Sequence, residues 1–287
     1  MTTLPDVLRY AAFTDTPSGG NPAGVVLDAS GLDAPTMQAI AADVGYSETA
    51  FLTPIGDSGR EFDVRYFAPS IEVPFCGHAT IATGVALGER LGEGTFLLHT
   101  QAGDVPVEVA AGDEHGVRAT LTSVEPTLAD LDLADLKELL VALRWSADDL
   151  DPALPPKVAF GGAWHPVIAV SSRARLADLS YDFDALRTLM TDRSWTTIQL
   201  VWRESPAVFH VRNPFPVGGV VEDPATGAAA AAFGHYLRAL GLIEPPARLT
   251  LRQGDDLGRP SLLTVDVDDA DPRIRVSGHA VPILQAT

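Results

Sequence analysis

The chain has 287 residues, 46% of them hydrophobic and 20% charged, which is the composition of a packed globular protein and excludes extensive disorder. Acidic residues number 38 and basic residues 20, and the resulting net charge of −18 disfavours nucleic acids and anionic membrane surfaces as partners. The length is more than one compact core usually holds, so we expect two domains.

The cysteine content and the hydropathy pattern of the chain predict its cellular location. The single cysteine, Cys76, cannot form an intrachain disulfide. The N-terminal residues lack the basic region and long apolar run of a signal peptide. The most apolar run, residues 227–237, is mostly alanine and too short to cross a bilayer. We therefore expect a soluble cytoplasmic protein that does not contact membranes.

Strands are predicted where apolar and polar residues alternate. In residues 61–67, Phe62, Val64 and Tyr66 share one face and charged residues occupy the other. The other segments with a β-type pattern are residues 23–27, 95–100, 105–109, 117–121, 167–170, 198–202, 208–211, 262–267 and 274–277.

Helices are predicted between these strands from their 3.6-residue periodicity and their caps. Asp33 can cap a helix that ends at Gly45. Asp132 can cap a second helix, and residues 183–189 suggest a third. The inward-facing residues of the first two are Met37, Ile40, Ala41 and Val44, and Leu136, Leu139, Leu140 and Leu143.

Two further helices resemble each other. One follows Gly77 and runs to Gly92, and the other follows Thr226 and runs to Gly241. Their end glycines are 149 residues apart, about half the chain. Small side chains on every face allow strands to pack closely all round such helices. We interpret the pair as a duplicated α+β unit with a core helix in each copy.

Domain boundaries follow from this repeat. Proline and acidic residues interrupt the pattern in residues 123–132, which we predict to be the linker. The N-terminal domain is then residues 1–122 and the C-terminal domain residues 133–279. The C-terminal tail, residues 280–287, is a candidate to join the first domain.

The starts of the two similar helices are candidate ligand-binding positions. The first-turn amides of a helix lack internal partners and favour anions. Gly77, beside Cys76 and His78, lets a ligand approach the backbone closely. Thr226 and Gly227 offer the same device in the second copy. Either motif alone also fits an ordinary helix cap, but the matched pair favours a site for a carboxylate.

Glu48 is a candidate acid/base residue. It lies between the helix that ends at Gly45 and an apolar strand that begins near Ala50. A carboxyl group partly removed from water has a raised pKa and can accept and return a proton near neutrality. The same position also fits a solvated glutamate in a turn, so the residues alone leave both interpretations open.

Five motifs in order resemble the PhzF-like family. They extend from Asn21 to Ser261, nearly the full chain, and each alone is weak. The motifs are Gly20-Asn-Pro-Ala-Gly-Val25, Ser47-Glu-Thr-Ala-Phe51, Phe75-Cys-Gly-His-Ala-Thr80, Glu222-Asp-Pro-Ala-Thr-Gly-Ala228, and Gln253-Gly254 with Gly258-Arg-Pro-Ser261.

The resemblance implies a fold and an activity. The family shares the fold of diaminopimelate epimerase: two similar α+β domains, each a β-barrel-like sheet around a central helix, with the active site in the interdomain cleft. Its best-known member isomerises a dihydro-hydroxyanthranilate on the way to phenazines without a metal or organic cofactor. We therefore expect a cofactor-independent isomerase that acts on a small anionic, carboxylate-bearing substrate, and a homodimer.

The resemblance also implies roles for particular residues. Glu48 matches the family's general acid/base, and His78 and Asp223 match its assisting polar residues. The substrate-binding positions are implied to be Asn21, Ser47, Cys76, Gly77, Thr226, Gly227 and Ala228. The histidines do not pair at the spacing of metal ligands on a helix, so we expect no metal site.

Two departures from the family pattern concern the substrate. The position after Gly227 is often an active-site serine in the family, but here it is Ala228. The segment Asn213–Val221 also differs from the commoner family forms, and we expect it to shape the pocket. The phenazine substrate itself is therefore in question.

Two alternative functions remain open at this point. In the first, a single-base epimerase or racemase uses Cys76 together with Glu48. Two-cysteine racemisation is excluded because the second helix start has no thiol. In the second alternative, the protein binds a small anion without catalysis, against which the combination of Glu48, His78 and Asp223 argues.

Overall fold

The computed structural model describes residues 5–112 and 116–284, which form two compact units. One unit comprises the described residues up to Val124 together with those from Val276 onward. The other spans Glu125–Arg275. The end of the predicted C-terminal tail, residues 285–287, lies outside the described residues.

The first unit contains two helices and most of the strands. Its elements are β1 Leu8–Ala12, β2 Asn21–Val26, α1 Ala34–Val44, β3 Glu48–Pro54, β4 Glu61–Phe67, β5 Glu72–Val73, α2 Gly77–Leu91, β6 Gly94–Thr100, β7 Gly103–Ala111, β8 Val117–Thr122 and, from Val276 onward, β17 Ile274–Pro282.

Eight strands of the first unit close into a barrel. The order is β1, β2, β3, β4, β6, β7, β8 and β17, and β17 pairs with β1. The β2–β3 and β4–β6 pairs are parallel and the other registered pairs are antiparallel. Helix α2 contacts β1, β2, β3, β7 and β8 and is buried from Gly77 to Gly88, so it is the core of this barrel.

Two glycines let α2 pack closely against the strands. A Cβ atom at Gly84 would lie 2.7 Å from Val107, and one at Gly88 would lie 2.4 Å from Val109, closer than carbon atoms can approach. The absence of side chains at these positions sets the distance between the helix and β7. The prediction of a core helix wrapped by strands is confirmed here.

The second unit repeats this plan with more helices. Its elements are β9 Thr127–Asp130, α3 Leu133–Leu143, β10 Lys157–Phe160, β11 Trp164–Ala169, α4 Arg173–Ala177, α5 Phe183–Asp192, β12 Gln199–Ser205, β13 Val208–Pro214, β14 Glu222–Asp223, α6 Gly227–Ala239, β15 Ala247–Gln253 and β16 Ser261–Val267, with single 3₁₀ turns at Ala147–Asp149, Pro216–Gly218 and Asp255–Leu257.

Seven of these strands form a continuous sheet in the order β9, β10, β11, β12, β13, β15 and β16. Helix α6 contacts β9, β10, β11 and β16 and is buried along most of its length. The segment 123–132, predicted as a linker, contributes β9 to this sheet, because residues 127–130 pair with β10. The other two larger helices, α3 and α5, pack in a separate apolar cluster with Trp145 and Trp195.

The helix caps agree with the sequence prediction. The Asp33 carboxylate accepts from the Thr36 amide at the start of α1, and Gly45 ends this helix with a left-handed φ of 70°. The Asp132 carboxylate accepts from the Ala134 amide at the start of α3. Among the described residues, no helix has the length and apolarity needed to span a membrane.

Candidate active site

Two adjacent parallel strands begin at the same place in the first unit and bring Asn21 and Glu48 together. Asn21 is the first residue of β2 and Glu48 the first residue of β3. The register pairs Ala23 with Glu48. Side chains alternate along a strand, so Asn21, two residues before Ala23, shares a face with Glu48. Glu48 is thus the buried first residue of a strand, 6% exposed, and does not lie in a solvated turn.

The start of α2 contributes Cys76 and His78 to this cluster. Cys76 is the N-cap residue of α2 and adopts an extended backbone, and its side chain does not cap the helix. Its carbonyl accepts from the Thr80 hydroxyl at 2.7 Å, and the Tyr66 hydroxyl lies 2.7 Å from that same Thr80 oxygen. These buried contacts fix the first turn of the helix, and His78 projects from it.

His78 is the centre of the polar cluster. Its Nδ1 lies 3.0 Å from Asn21 Nδ2 and 3.2 Å from Cys76 Sγ. Its Nε2 lies 3.3 Å from Ser47 Oγ and 3.5 Å from Glu48 Oε2. The sequence named all five residues as site candidates, and the structure brings all five together.

Burial controls the ionisation of the two central groups. It raises the pKa of Glu48, although hydrogen bonds from Ser47 and Cys76 oppose the shift. Burial also lowers the pKa of His78 to about 3, against a smaller opposing effect of a hydrogen bond to the Pro22 backbone. His78 is therefore neutral near pH 7, and Glu48 is a carboxyl group that holds its proton more readily than a solvated one.

The second helix start, in the other unit, is organised by Gln253. This side chain is 1% exposed at the end of β15. Its oxygen accepts from the Thr226 amide at 3.1 Å, and its nitrogen donates to the Asp223 carbonyl at 2.7 Å and to Thr226 Oγ1 at 3.0 Å. The Thr226 hydroxyl in turn donates to Asp223 Oδ2 at 2.6 Å. Sequence reasoning quoted Gln253 in a motif but gave it no role.

The strand that carries Asp223 is held by a buried ion pair. The Arg212 guanidinium contacts both carboxylate oxygens of Glu222 and also donates to the Ala177 carbonyl at 2.8 Å. Both side chains are buried. Burial raises the pKa of Glu222, and the neighbouring Arg212 opposes that shift. Sequence reasoning missed this pair, since an arginine and a glutamate ten residues apart give no distinctive pattern.

The two helix starts share their local design. Gly77 and Gly227 are the first residues of α2 and α6, and the preceding N-cap residues, Cys76 and Thr226, both have extended backbones. Neither N-cap side chain accepts a hydrogen bond from the first turn. Ala228, the second residue of α6, is 8% exposed and adds no polar atom. The helices begin 150 residues apart, one more than the offset of their predicted end glycines.

A buried carboxyl group lies beside a neutral histidine at the start of a helix enclosed by a barrel. Titratable groups whose pKa values burial shifts in this way are typical of enzyme active sites. Comparison with known proteins identifies the family. The family model for phenazine biosynthesis-like proteins, PhzC-PhzF, matches residues 10–286. The chain belongs to this family and is an isomerase.

Relatives and solved structures agree with this assignment. An uncharacterized isomerase from Bacillus subtilis is 30% identical, with 98% of this chain and 97% of the relative covered. The trans-2,3-dihydro-3-hydroxyanthranilate isomerase from Pseudomonas chlororaphis is 33% identical, with 96% of both chains covered.

Among solved structures, a predicted epimerase from Pseudomonas aeruginosa has a TM-score of 0.87 at 28% identity and covers 99% of this chain and 98% of its own. A probable proline racemase from Agrobacterium radiobacter has a TM-score of 0.69 at 13% identity, with 98% of this chain and 92% of that chain covered, and so shares the fold. The expected diaminopimelate-epimerase-like fold is confirmed.

Proposed function

We propose that the protein is a cofactor-independent isomerase that moves a proton between two carbons of a small carboxylate-bearing substrate, with Glu48 as the general acid/base. The observation that carries the proposal is the burial of Glu48 beside a neutral His78, with a raised pKa for the carboxyl group. A general acid/base is most effective when its pKa lies near the working pH.

The proposed reaction uses this single carboxyl group twice. The ionised Glu48 takes the proton from an acidic carbon, and the electron pair left behind is delocalised over the conjugated substrate. The protonated Glu48 then returns the proton to a different carbon, so that no atom is gained or lost. His78 and the Ser47 hydroxyl hold the carboxyl group in place, and His78 acts as a neutral hydrogen-bonding group because its pKa is about 3.

We further propose that the second helix start takes part in substrate binding. Asp223 and Thr226 are fixed by Gln253, and the amides that follow, from Gly227 and Ala228, belong to the first turn of α6. Such amides favour an anion, which an otherwise acidic protein needs in order to bind a carboxylate. We also propose, from the family resemblance alone, that the protein is a homodimer.

The substrate is proposed to resemble the compound named for the Pseudomonas chlororaphis relative without being identical to it. That relative acts on trans-2,3-dihydro-3-hydroxyanthranilate. The Ala228 side chain cannot donate a hydrogen bond where many family members carry a serine hydroxyl. We therefore propose a conjugated carboxylate with one polar group fewer at this point.

The geometry of Cys76 does not favour the epimerase alternative. A second base must face the first across the substrate, whereas the Cys76 thiol is hydrogen-bonded to Glu48. It also lies 3.2 Å from His78 Nδ1, within one polar cluster. The non-catalytic alternative has no need for a carboxyl group with a raised pKa.

The test is exchange of carbon-bound hydrogen with solvent. Purified protein is incubated in deuterated water with a panel of conjugated cyclic carboxylates that includes trans-2,3-dihydro-3-hydroxyanthranilate, and recovered compounds are analysed by mass spectrometry and NMR. We expect deuterium at a single carbon and a shifted double bond for at least one compound. Saturable binding of a panel compound with no exchange into it would instead support the anion-binding alternative.

A further inference from the structure

Three side chains of the first unit present potential metal ligands to one point. The Glu48 carboxylate, the Cys76 thiol and the His78 imidazole each offer one ligand atom, and these atoms lie within 4.8 Å of one another. All three side chains are buried, with exposed fractions of 6%, 7% and 3%. No local sequence pattern joins the three residues, because one comes from a strand and the other two from a helix start.

The spacing of these atoms is close to that of a zinc site. A tetrahedral Zn²⁺ with bonds of about 2.3 Å to sulfur and about 2.0 Å to nitrogen and oxygen holds its sulfur and nitrogen about 3.5 Å apart and its nitrogen and oxygen about 3.3 Å apart. Here Cys76 Sγ lies 3.9 Å from His78 Nε2, and His78 Nε2 lies 3.5 Å from Glu48 Oε2. These two distances exceed the ideal ones by only a few tenths of an ångström, and the third pair, Cys76 with Glu48, lies within 4.8 Å.

The charges of the three groups also suit a divalent soft cation. A thiolate and a carboxylate together carry two negative charges and cancel those of Zn²⁺, so the bound complex would be neutral in a buried position where an uncompensated charge is costly. The sulfur and imidazole ligands select Zn²⁺ over Mg²⁺ or Ca²⁺, which prefer oxygen. Three protein ligands leave one position for water or a substrate atom.

Neighbouring groups can orient the imidazole for this role. Binding through Nε2 requires the ring proton on Nδ1, and metal-bound histidines donate that proton to a carbonyl, carboxylate or water. The ring is hydrogen-bonded to the Pro22 backbone, which has no N–H and so must accept through its carbonyl. Asn21 Nδ2, 3.0 Å from Nδ1, is itself a donor, so the Asn21 amide must turn its oxygen toward Nδ1 when that nitrogen carries the proton.

We propose that Glu48, Cys76 and His78 form a binding site for Zn²⁺ or a comparable soft divalent cation, and that the metal-bound protein is inactive. The inhibition rests on the proposed function, because a Glu48 carboxylate bound to metal cannot take a proton from carbon. The binding itself does not rest on that function.

Binding is tested first without any substrate. The purified protein is titrated with Co²⁺ in the presence of excess Mg²⁺, which occupies the acidic surface. We expect a thiolate-to-cobalt charge-transfer band in the near ultraviolet and the visible bands of four-coordinate Co²⁺, both displaced by one equivalent of Zn²⁺. Isothermal titration with Zn²⁺ gives the affinity.

Matched variants assign the ligands. Cys76→Ser should abolish the charge-transfer band and weaken Zn²⁺ binding by at least about tenfold, since even an outer-shell group commonly contributes that much. The control is His99→Ala, which removes a surface histidine that also lies beside two carboxylates. His99 contacts Glu61 through Nε2 and Asp104 through Nδ1, so these carboxylates lie on opposite sides of the ring and do not form one metal site with it. This variant should bind as the wild type does. Circular dichroism checks that each variant is folded.

Each result decides one part of the proposal. A wild-type protein with no cobalt band, or a Zn²⁺ affinity that Cys76→Ser leaves unchanged, would overturn the metal site. Solvent exchange that continues at full rate with saturating Zn²⁺ would overturn the inhibition. A cysteine-dependent cobalt band in a protein that exchanges no carbon-bound proton would support the metal site while contradicting the proposed isomerase function.

Discussion

Replacing Glu48 by glutamine removes the proposed base and keeps the shape of the side chain. The amide can still contact His78 and Ser47, so the strand start and the helix start should remain in place. What is lost is proton transfer, and a positioned acid/base residue contributes about 10²–10⁴-fold. We expect turnover and solvent exchange to fall at least about a hundredfold, which corresponds to about 2.7 kcal/mol of activation free energy.

The effect on stability provides a second, independent measure of the same residue. Burial raises the folded-state pKa of Glu48 above its unfolded value. The folded state is therefore favoured relative to the unfolded state while Glu48 is protonated in both, and this advantage is lost as the pH rises through the folded-state pKa. Glutamine does not titrate, so the variant should lose less stability than the wild type between acidic and neutral pH in urea unfolding experiments.

A matched control separates the role of Glu48 from that of any glutamate beside a histidine. Glu61 lies 2.8 Å from His99 Nε2, but that pair is at the surface. Glu61→Gln should leave solvent exchange unchanged. Glu48 is not the general acid/base if Glu48→Gln exchanges substrate hydrogen at close to the wild-type rate, or if Glu61→Gln is impaired to the same degree.

Three other substitutions test the role of the thiol, the substrate contact at Ala228 and the burial of His165. Cys76→Ala should lower turnover by less than about tenfold, because the thiol provides a contact and not a second base; complete loss of turnover in a folded variant would favour the epimerase alternative. Ala228→Ser should raise turnover of trans-2,3-dihydro-3-hydroxyanthranilate about 2- to 12-fold, the equivalent of one hydrogen bond of about 0.5–1.5 kcal/mol; efficient turnover by the wild type with no gain from serine would show that this position does not limit the substrate. His165, which is fully buried and whose pKa burial lowers to about 4, favours its neutral form in the folded state, so stability should fall as the pH drops from about 6.5 toward 4. Unfolding of His165→Asn in urea should show a weaker decline over this range, and an unchanged decline would contradict the assignment.

The sequence predicted the elements whose signals are local. Residues 61–67 form β4 with the predicted buried face, and the caps at Asp33 and Asp132 start α1 and α3. The short strands β10 and β14 were not predicted, because they have too few residues to show an alternation of apolar and polar side chains. Strand β15 does alternate, with Leu249 and Leu251 buried, and could have been recognised.

In the candidate site, too, the sequence predicted the residues that lie in local motifs but not the contacts between distant ones. Glu48, His78 and Asp223 were identified through motifs that fix residue types at set positions. The contacts that organise them depend on residues distant in sequence, such as Gln253 with Thr226. The proximity of Glu48 and Cys76 depends on the pairing register of β2 with β3 and on the position of the start of α2. No local sequence pattern predicts either of these.

The close packing of α2 against β7 limits how this enzyme can change. Alanine in place of glycine usually stabilises a helix by about 1 kcal/mol, but at Gly84 or Gly88 the added carbon would overlap a valine of the barrel wall. The face of the helix that carries these two glycines therefore cannot be enlarged without displacing the barrel wall. Variation that alters specificity must then enter at the ends of elements, at the first turn of the helix and at the strand starts. Directed evolution of this fold should recover its gains from those few positions while the helix body remains almost unchanged.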